Sequence, residues 1–173
     1  QLQFLYSSGT LVFGVCGGYQ MLGRTVSDPE QVEAAGVTEI LGMGLLEMDT
    51  LFLGEKVQSQ TSGVFSHISG MLSGLNGLSY YGYEIHMGRS EEQMPALAGT
   101  GNVYGSYVHG VFDAPGITDK ILQAICARKC IDFEALETFD IVEYKERQYD
   151  LLAEAVRNGL DMDYIYRVLN GEV

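Results

Sequence analysis

Positive charge is scarce in this sequence. Ten Lys and Arg residues stand against 23 Asp and Glu in 173 residues, a formal net charge of −13 at pH 7. No run of Lys or Arg interrupts that acidity, so the surface repels phosphate backbones, which argues against nucleic acid as a partner. Proline is equally scarce, with 3 residues against 22 glycines. That mix suits tight turns between many short elements better than a long helical bundle. The three cysteines are an odd number, and their spacing matches neither a disulfide framework nor a zinc ribbon, so a reducing cytoplasm is expected. No apolar run reaches the ~20 residues of a membrane span, so no membrane partner is expected. A charged start followed by an apolar stretch and a cleavage site is missing too. Gln1 is not an initiator, and Gln1 to Ser8 reads like the interior of a longer chain.

What is present is a globular composition, 46% hydrophobic and 19% charged. The length suits one domain, 1–173, with a single sizeable core. Leu11-Val12-Phe13-Gly14-Val15 is a short apolar run that reads as a buried, parallel strand. Gly17 to Gly23 turns and opens a helix, which Ser27-Asp28-Pro29 is expected to break. Gly44 to Thr50, Lys56 to Thr61 and Tyr80 to Met87 alternate, separated by Gly, Ser and Asn, and read as a strand-rich middle. Asn102 to Val108 is a further strand that ends at His109-Gly110. Ile117, Ile121, Leu122 and Ile125 mark one face of a helix starting near Thr118. Leu151, Leu152, Ala155 and Val156 mark a second, closed by Asn158-Gly159, and Asp161 caps a short last helix. The order predicts an α/β domain: a mixed, mostly parallel sheet flanked by helices.

Gly14-Val15-Cys16-Gly17-Gly18 has the form Gly-x-Cys-x-Gly between a predicted strand and a predicted helix. This is the context of a nucleophile elbow, with cysteine in place of serine. The turn is so sharp that a Cβ two positions to either side is expected to collide with backbone. The bend pushes the sulfur out at the carboxyl edge of the sheet, where open α/β sheets place ligands. The helix after Cys16 aims its N-terminal N–H groups at that position, which suits negative charge and a developing oxyanion. The alternative for Cys16 is a buried structural cysteine. Cys126 and Cys130 lie one helical turn apart without such an elbow. One is expected in the core and the other near the surface.

A thiol nucleophile needs a base, and histidine suits neutral pH. His109 follows a strand and precedes Gly110, which fits best. His86 lies in a second polar cluster at a strand end, and His67 in a turn that reads as surface. Spacing ranks them in that order and leaves each open to an ordinary hydrogen-bonded role.

At these residues the sequence is recognisable. Val15-Cys16-Gly17-Gly18-Tyr19-Gln20-Met21-Leu22-Gly23 resembles the nucleophile motif of the cobyric acid synthase-type class I glutamine amidotransferase family. Gly42-Met43-Gly44-Leu45-Leu46, Gly82-Tyr83-Glu84-Ile85-His86-Met87-Gly88 and Tyr107-Val108-His109-Gly110-Val111-Phe112-Asp113 match three further family motifs in order. The resemblance runs from about Val12 to the C-terminus. The first motif is shared with sister families, among them the glutaminase subunit that amidates lipid II; the second glycine-to-glycine segment, 82–88, discriminates most.

The resemblance implies a flavodoxin-like layered fold and a reaction. Cys16 attacks the side-chain amide of glutamine, with His109 as its base. It further implies a Gly17 N–H oxyanion donor and a substrate contact from Gln20. Glu84, His86 and Arg89 are implied in recognising the glutamine's α-amino and α-carboxylate groups. No cofactor or metal is implied in this domain. ATP and Mg²⁺ belong to an N-terminal synthetase domain that uses the ammonia to amidate a corrinoid substrate, bound mainly outside this chain. Two departures from the wider class stand out. Val111 occupies the place where most class I enzymes carry a Glu that orients the histidine, which leaves Glu84, Asp113 or a backbone carbonyl to do so. No Gly-x-x-x-x-Gly-Lys loop and no upstream oxyanion loop is found, so a low isolated glutaminase rate is expected. The rival readings are a cysteine peptidase on the same elbow, a binding module that keeps the fold without chemistry, and a metal site from Cys16, His86 and His109, for which no ligand spacing speaks.

Overall fold

The computed structural model describes residues 1–33, 35–90, 95–135 and 141–172. The chain divides into two compact units, Gln1–Leu136 and Glu137–Val173.

In the first unit, a short helix α1 (Leu2–Ser7) leads into strand β1 (Val12–Val15), and helix α2 (Gly17–Leu22) follows after one residue. Then come β2 (Thr25–Ser27), β3 (Glu39–Leu41), β4 (Asp49–Val64), β5 (Ser79–Arg89), β6 (Ala98–Thr100), β7 (Val103–Ser106) and helix α3 (Ile117–Lys129). Two sheets form, with strand orders β1-β7-β6 and β3-β2-β4-β5. The mixed α/β class expected from the sequence is therefore present. Parallel pairing is confined to two ladders, β1 with β7 and β2 with β4, and the other three described ladders are antiparallel. The parallel share is smaller than expected because β4 and β5 extend into one long hairpin-like pair, where the alternating runs read as several short strands.

The core lies between the β1-β7-β6 sheet and α3. Phe65, Leu72, Leu75, Tyr104, Val108, Val111, Ile117 and Ile121 are buried together. Each large aliphatic or aromatic side chain withdrawn from water here contributes about 1.5–3 kcal/mol before its entropy cost. Tyr104 is fully buried, yet its hydroxyl donates to Ser69 O at 2.6 Å and accepts from Leu72 N–H at 3.1 Å. Desolvation raises the pKa of that phenol above its ordinary value. On α3, Ile117, Ile121 and Cys126 face inward, whereas Leu122 is 38% exposed and leaves the expected apolar face. Cys126 is buried and Cys130 exposed, the division expected of the pair.

Two expectations for the first half are corrected. Helix α2 ends at Leu22, before Ser27-Asp28-Pro29, and Thr25–Ser27 is strand β2. Gly44 to Met48 is not strand; β4 starts at Asp49. Backbone hydrogen bonding explains both. Met43, Gly44, Leu45 and Leu46 donate their N–H groups to the carbonyls of Met21, Gly23, Leu22 and Leu22. The segment 43–46 thus satisfies carbonyls that a six-residue helix leaves without partners at its end.

The second unit holds helices α4 (Ile141–Gly159) and α5 (Met162–Leu169). As expected, Asp161 caps α5, its Oδ1 accepting from Tyr164 N–H at 2.9 Å. Among the described residues no helix is long and apolar enough to cross a membrane.

Candidate active site

Strand β1 runs parallel to β7, with Val15 opposite Ser106. The next residue, Cys16, donates its N–H to Ser106 O at 2.9 Å and accepts from Gln20 N–H at 3.1 Å, so it closes the ladder and opens α2 at once. Joining strand to helix without an intervening loop forces Cys16 to φ 52°, ψ −114°. That is an outlying conformation for a residue with a side chain, costing about 1–3 kcal/mol, and it persists because ladder and helix together over-determine it. A Cβ on Gly14 would lie 2.7 Å from the Gly18 carbonyl and from Tyr19 N, so glycine is required there. The matching collision expected at Gly18 is absent, since a Cβ there, or on Gly17, meets open space. The tight side of the elbow is the strand side, and the helix side is left clear in front of the cysteine.

Strand β5 borders this elbow. The half-buried Cys16 thiol donates to Ile85 O over 3.6 Å, a long, weak S–H contact. Two residues back along the same strand, Tyr83 and His109 exchange both backbone hydrogen bonds, at 3.1 Å and 2.8 Å. The Tyr83 and His109 rings stack at 5.0 Å between centroids with 9° between planes. Cys16 and His109 therefore abut neighbouring positions of one strand, about 7 Å apart along it. The approach of His109 to β5 depends on Gly82, where a Cβ would collide with the His109 carbonyl oxygen. His109 Nε2 is a buried polar atom with no hydrogen-bond partner among the described residues. A buried, unsatisfied nitrogen is costly in a folded protein and calls for a function.

His86 is placed differently. It is 6% exposed, Nδ1 lies 2.7 Å from Gly88 O and Nε2 lies 3.3 Å from Glu84 Oε2. Both nitrogens are committed to oxygens, which leaves neither for a thiol. Its ring packs on Tyr107 at 3.9 Å between centroids. The Tyr107 hydroxyl is within 2.9 Å of Ser90 Oγ, which is 2.9 Å from Thr50 Oγ1. Burial raises the pKa of Tyr107, opposed by hydrogen bonds from Ser90, Gln20 and Thr50. Gln20, 6% exposed, belongs to this buried network and sits against Gly88. Glu84, bound to His86, is spoken for by that pair, and among the described residues Arg89 pairs with Glu55 at 3.6 Å on the exposed surface. His67 is exposed with φ 60° and stands apart from both clusters. Among the described residues no three His, Cys, Asp or Glu side chains converge as a metal site would require.

The sequence reading passed over Tyr83, Tyr107, Thr50 and Ser90. The one signal available was the run Tyr80-Tyr81-Gly82-Tyr83, in which Tyr81 and Tyr83, two apart, share one side of a strand and Tyr80 takes the other. Beside His109 opens a cleft of about 470 Å³, with Thr61, Ser62, Tyr81 and Tyr83 among its walls. It offers hydroxyl groups to a small polar molecule.

Comparison with known proteins accords with this geometry. Residues 1–117 match the model of the CobB/CobQ-like glutamine amidotransferase domain. The chain is 45% identical to the cobyric acid synthase of Lachnoclostridium phytofermentans over 94% of its own length and 36% of that protein's. It is 45% identical to the cobyric acid synthase of Ruminiclostridium cellulolyticum over 91% of the chain and 34% of the relative. With that of Alkaliphilus metalliredigens the identity is 36%, over 97% and 37%. The chain thus spans about a third of the length of the curated relatives it matches. Its mixed α/β sheets flanked by helices are consistent with the class I glutamine amidotransferase fold. Elbow, architecture and the extent of the match lead to one conclusion: the chain belongs to the CobB/CobQ-like glutamine amidotransferase domain family.

Proposed function

We propose that this chain hydrolyses glutamine to supply ammonia, with Cys16 as nucleophile and His109 as base. The observation that carries the proposal is that a strained, half-buried Cys16 and a His109 whose Nε2 has no partner among the described residues abut adjoining positions of β5. Nε2 takes the thiol proton as the sulfur attacks the amide carbon of glutamine. The Gly17 N–H receives the oxyanion. Collapse breaks the C–N bond, and the protonated His109 delivers its proton to the departing ammonia. Water, deprotonated by His109, then cleaves the glutamyl thioester, releasing glutamate and restoring the thiol. Arg89, paired with the exposed Glu55, is assigned to the substrate α-carboxylate, and Glu84, whose Oε2 is engaged by His86, holds that histidine in place. Gln20 and His86 support that wall from the buried side.

The ammonia is proposed to pass to an ATP- and Mg²⁺-dependent synthetase domain, which amidates peripheral carboxylates of a corrin ring in cobalamin biosynthesis. The names of the relatives and the third of their length that the chain spans support this reading. Nucleotide and metal are assigned to that other domain. A cytoplasmic setting is proposed on the three free cysteines. The test is ammonia release from a panel of glutamine, asparagine and short peptides. Release from glutamine alone, lost on Cys16→Ala, is expected; hydrolysis of peptides with glutamine spared would overturn the proposal.

A further inference from the structure

Most class I enzymes orient the catalytic imidazole with a carboxylate, and the position for it is Val111 here, 2% exposed in the apolar core. A valine has no hydrogen bond to offer, so something else must hold the ring. Glu84 is occupied by His86 Nε2. Resting on the glutaminase reading above, we propose that Tyr83 is the positioning residue for His109, its ring taking the place of the missing carboxylate.

Three observations converge on it. The two rings lie nearly parallel, 9° apart, with centroids 5.0 Å distant. A stack of that kind fixes the plane of an imidazole, which a single hydrogen bond leaves free to swivel about the bond axis. Next, the two backbones are tied by a reciprocal pair of hydrogen bonds, so neither ring can slide away without breaking the bridge. Finally, the stack leaves the edge of the imidazole unencumbered: Nε2 has no partner among the described residues, although it is buried. A carboxylate orients the ring by binding one nitrogen. A stacked phenol orients it through its face and leaves the nitrogens for chemistry.

Tyr83 is also suited to be tested. It is 50% exposed, on the outer side of the stack, so truncation removes the stack without opening the core. The comparison runs in the intact protein with glutamine as substrate. Tyr83→Leu is expected to lower kcat about tenfold to a hundredfold, the scale of a misoriented catalytic group. KM should change less than about threefold, and the melting temperature should stay within a few degrees. Tyr83→Phe keeps the ring and is expected to restore kcat, since the stack and not the hydroxyl is invoked. Two results would overturn the inference: Tyr83→Leu with full kcat, or loss of kcat on Asp113→Asn alongside an active Tyr83→Leu, which would hand the role to a carboxylate. If the unmodified protein releases no ammonia and Cys16 resists a glutamine-like electrophile, the glutaminase reading falls first and the inference with it.

Discussion

At the scale of single residues, the site rests on contrasts between like side chains. Two of the three histidines lie near the elbow, but His86 has both nitrogens engaged and His109 Nε2 has no partner among the described residues. Replacing His109 by Asn is expected to lower glutamine turnover by about 10²–10⁴-fold, the usual contribution of a positioned base, while thermal unfolding stays close to that of the parent. Replacing the buried His86 by Leu is expected to act first on stability. It leaves the Gly88 carbonyl and Glu84 without a partner, costing about 1–3 kcal/mol, which a melting curve reads directly. Gly14→Ala belongs here too. Its Cβ would press 2.7 Å from backbone that cannot swing aside, and about 1–3 kcal/mol of destabilisation is expected from the overpacking.

At the scale of elements, β5 organises the site, because it meets the elbow at Ile85 and the base at Tyr83. Gly82→Ala is expected to wedge β5 from the segment carrying His109, lowering kcat while the β4–β5 ladder persists; circular dichroism with a turnover assay separates the two effects. The end of the same sheet where β2 and β4 begin carries a pH-sensitive tie. Arg24 Nη2 lies 2.7 Å from Asp49 Oδ2, and Thr25 Oγ1 donates to Asp49 Oδ1 at 2.8 Å. Arg24 holds the Asp49 carboxyl below its ordinary pKa. A depressed carboxylate contributes stability at neutral pH and loses it as pH falls through and below the usual carboxylate range. Because the pair is exposed, the effect is small. Melting curves of Asp49→Asn should show a shallower acid limb than those of the parent. The elbow was legible in the sequence because everything it needs is local: strand, glycine, cysteine, helix. The three-residue strands were not, since β2 and β3 are too short to show a period. The cap formed by 43–46 was also hidden, because its alternation is the same whether the N–H groups pair with a strand or with a helix end. Tyr83 over His109 depends on the register between distant segments, which no short motif encodes.

At the scale of the whole molecule, the chain carries the features of an ammonia-producing domain and spans about a third of its relatives' length. If the synthetase reaction lies in the remainder, Cys16→Ala in the complete enzyme should lose glutamine-dependent amidation and keep amidation driven by free ammonia. Loss of both would separate Cys16 from ammonia supply. The most direct measurement is covalent. Treat the protein with 6-diazo-5-oxo-norleucine, digest it, and locate the adduct by mass spectrometry. The adduct is expected on Cys16, protected by glutamine and abolished in His109→Asn, with Cys126 and Cys130 unmodified. An unlabelled Cys16, or equal labelling of Cys130, would contradict the assignment of this elbow as a glutaminase site.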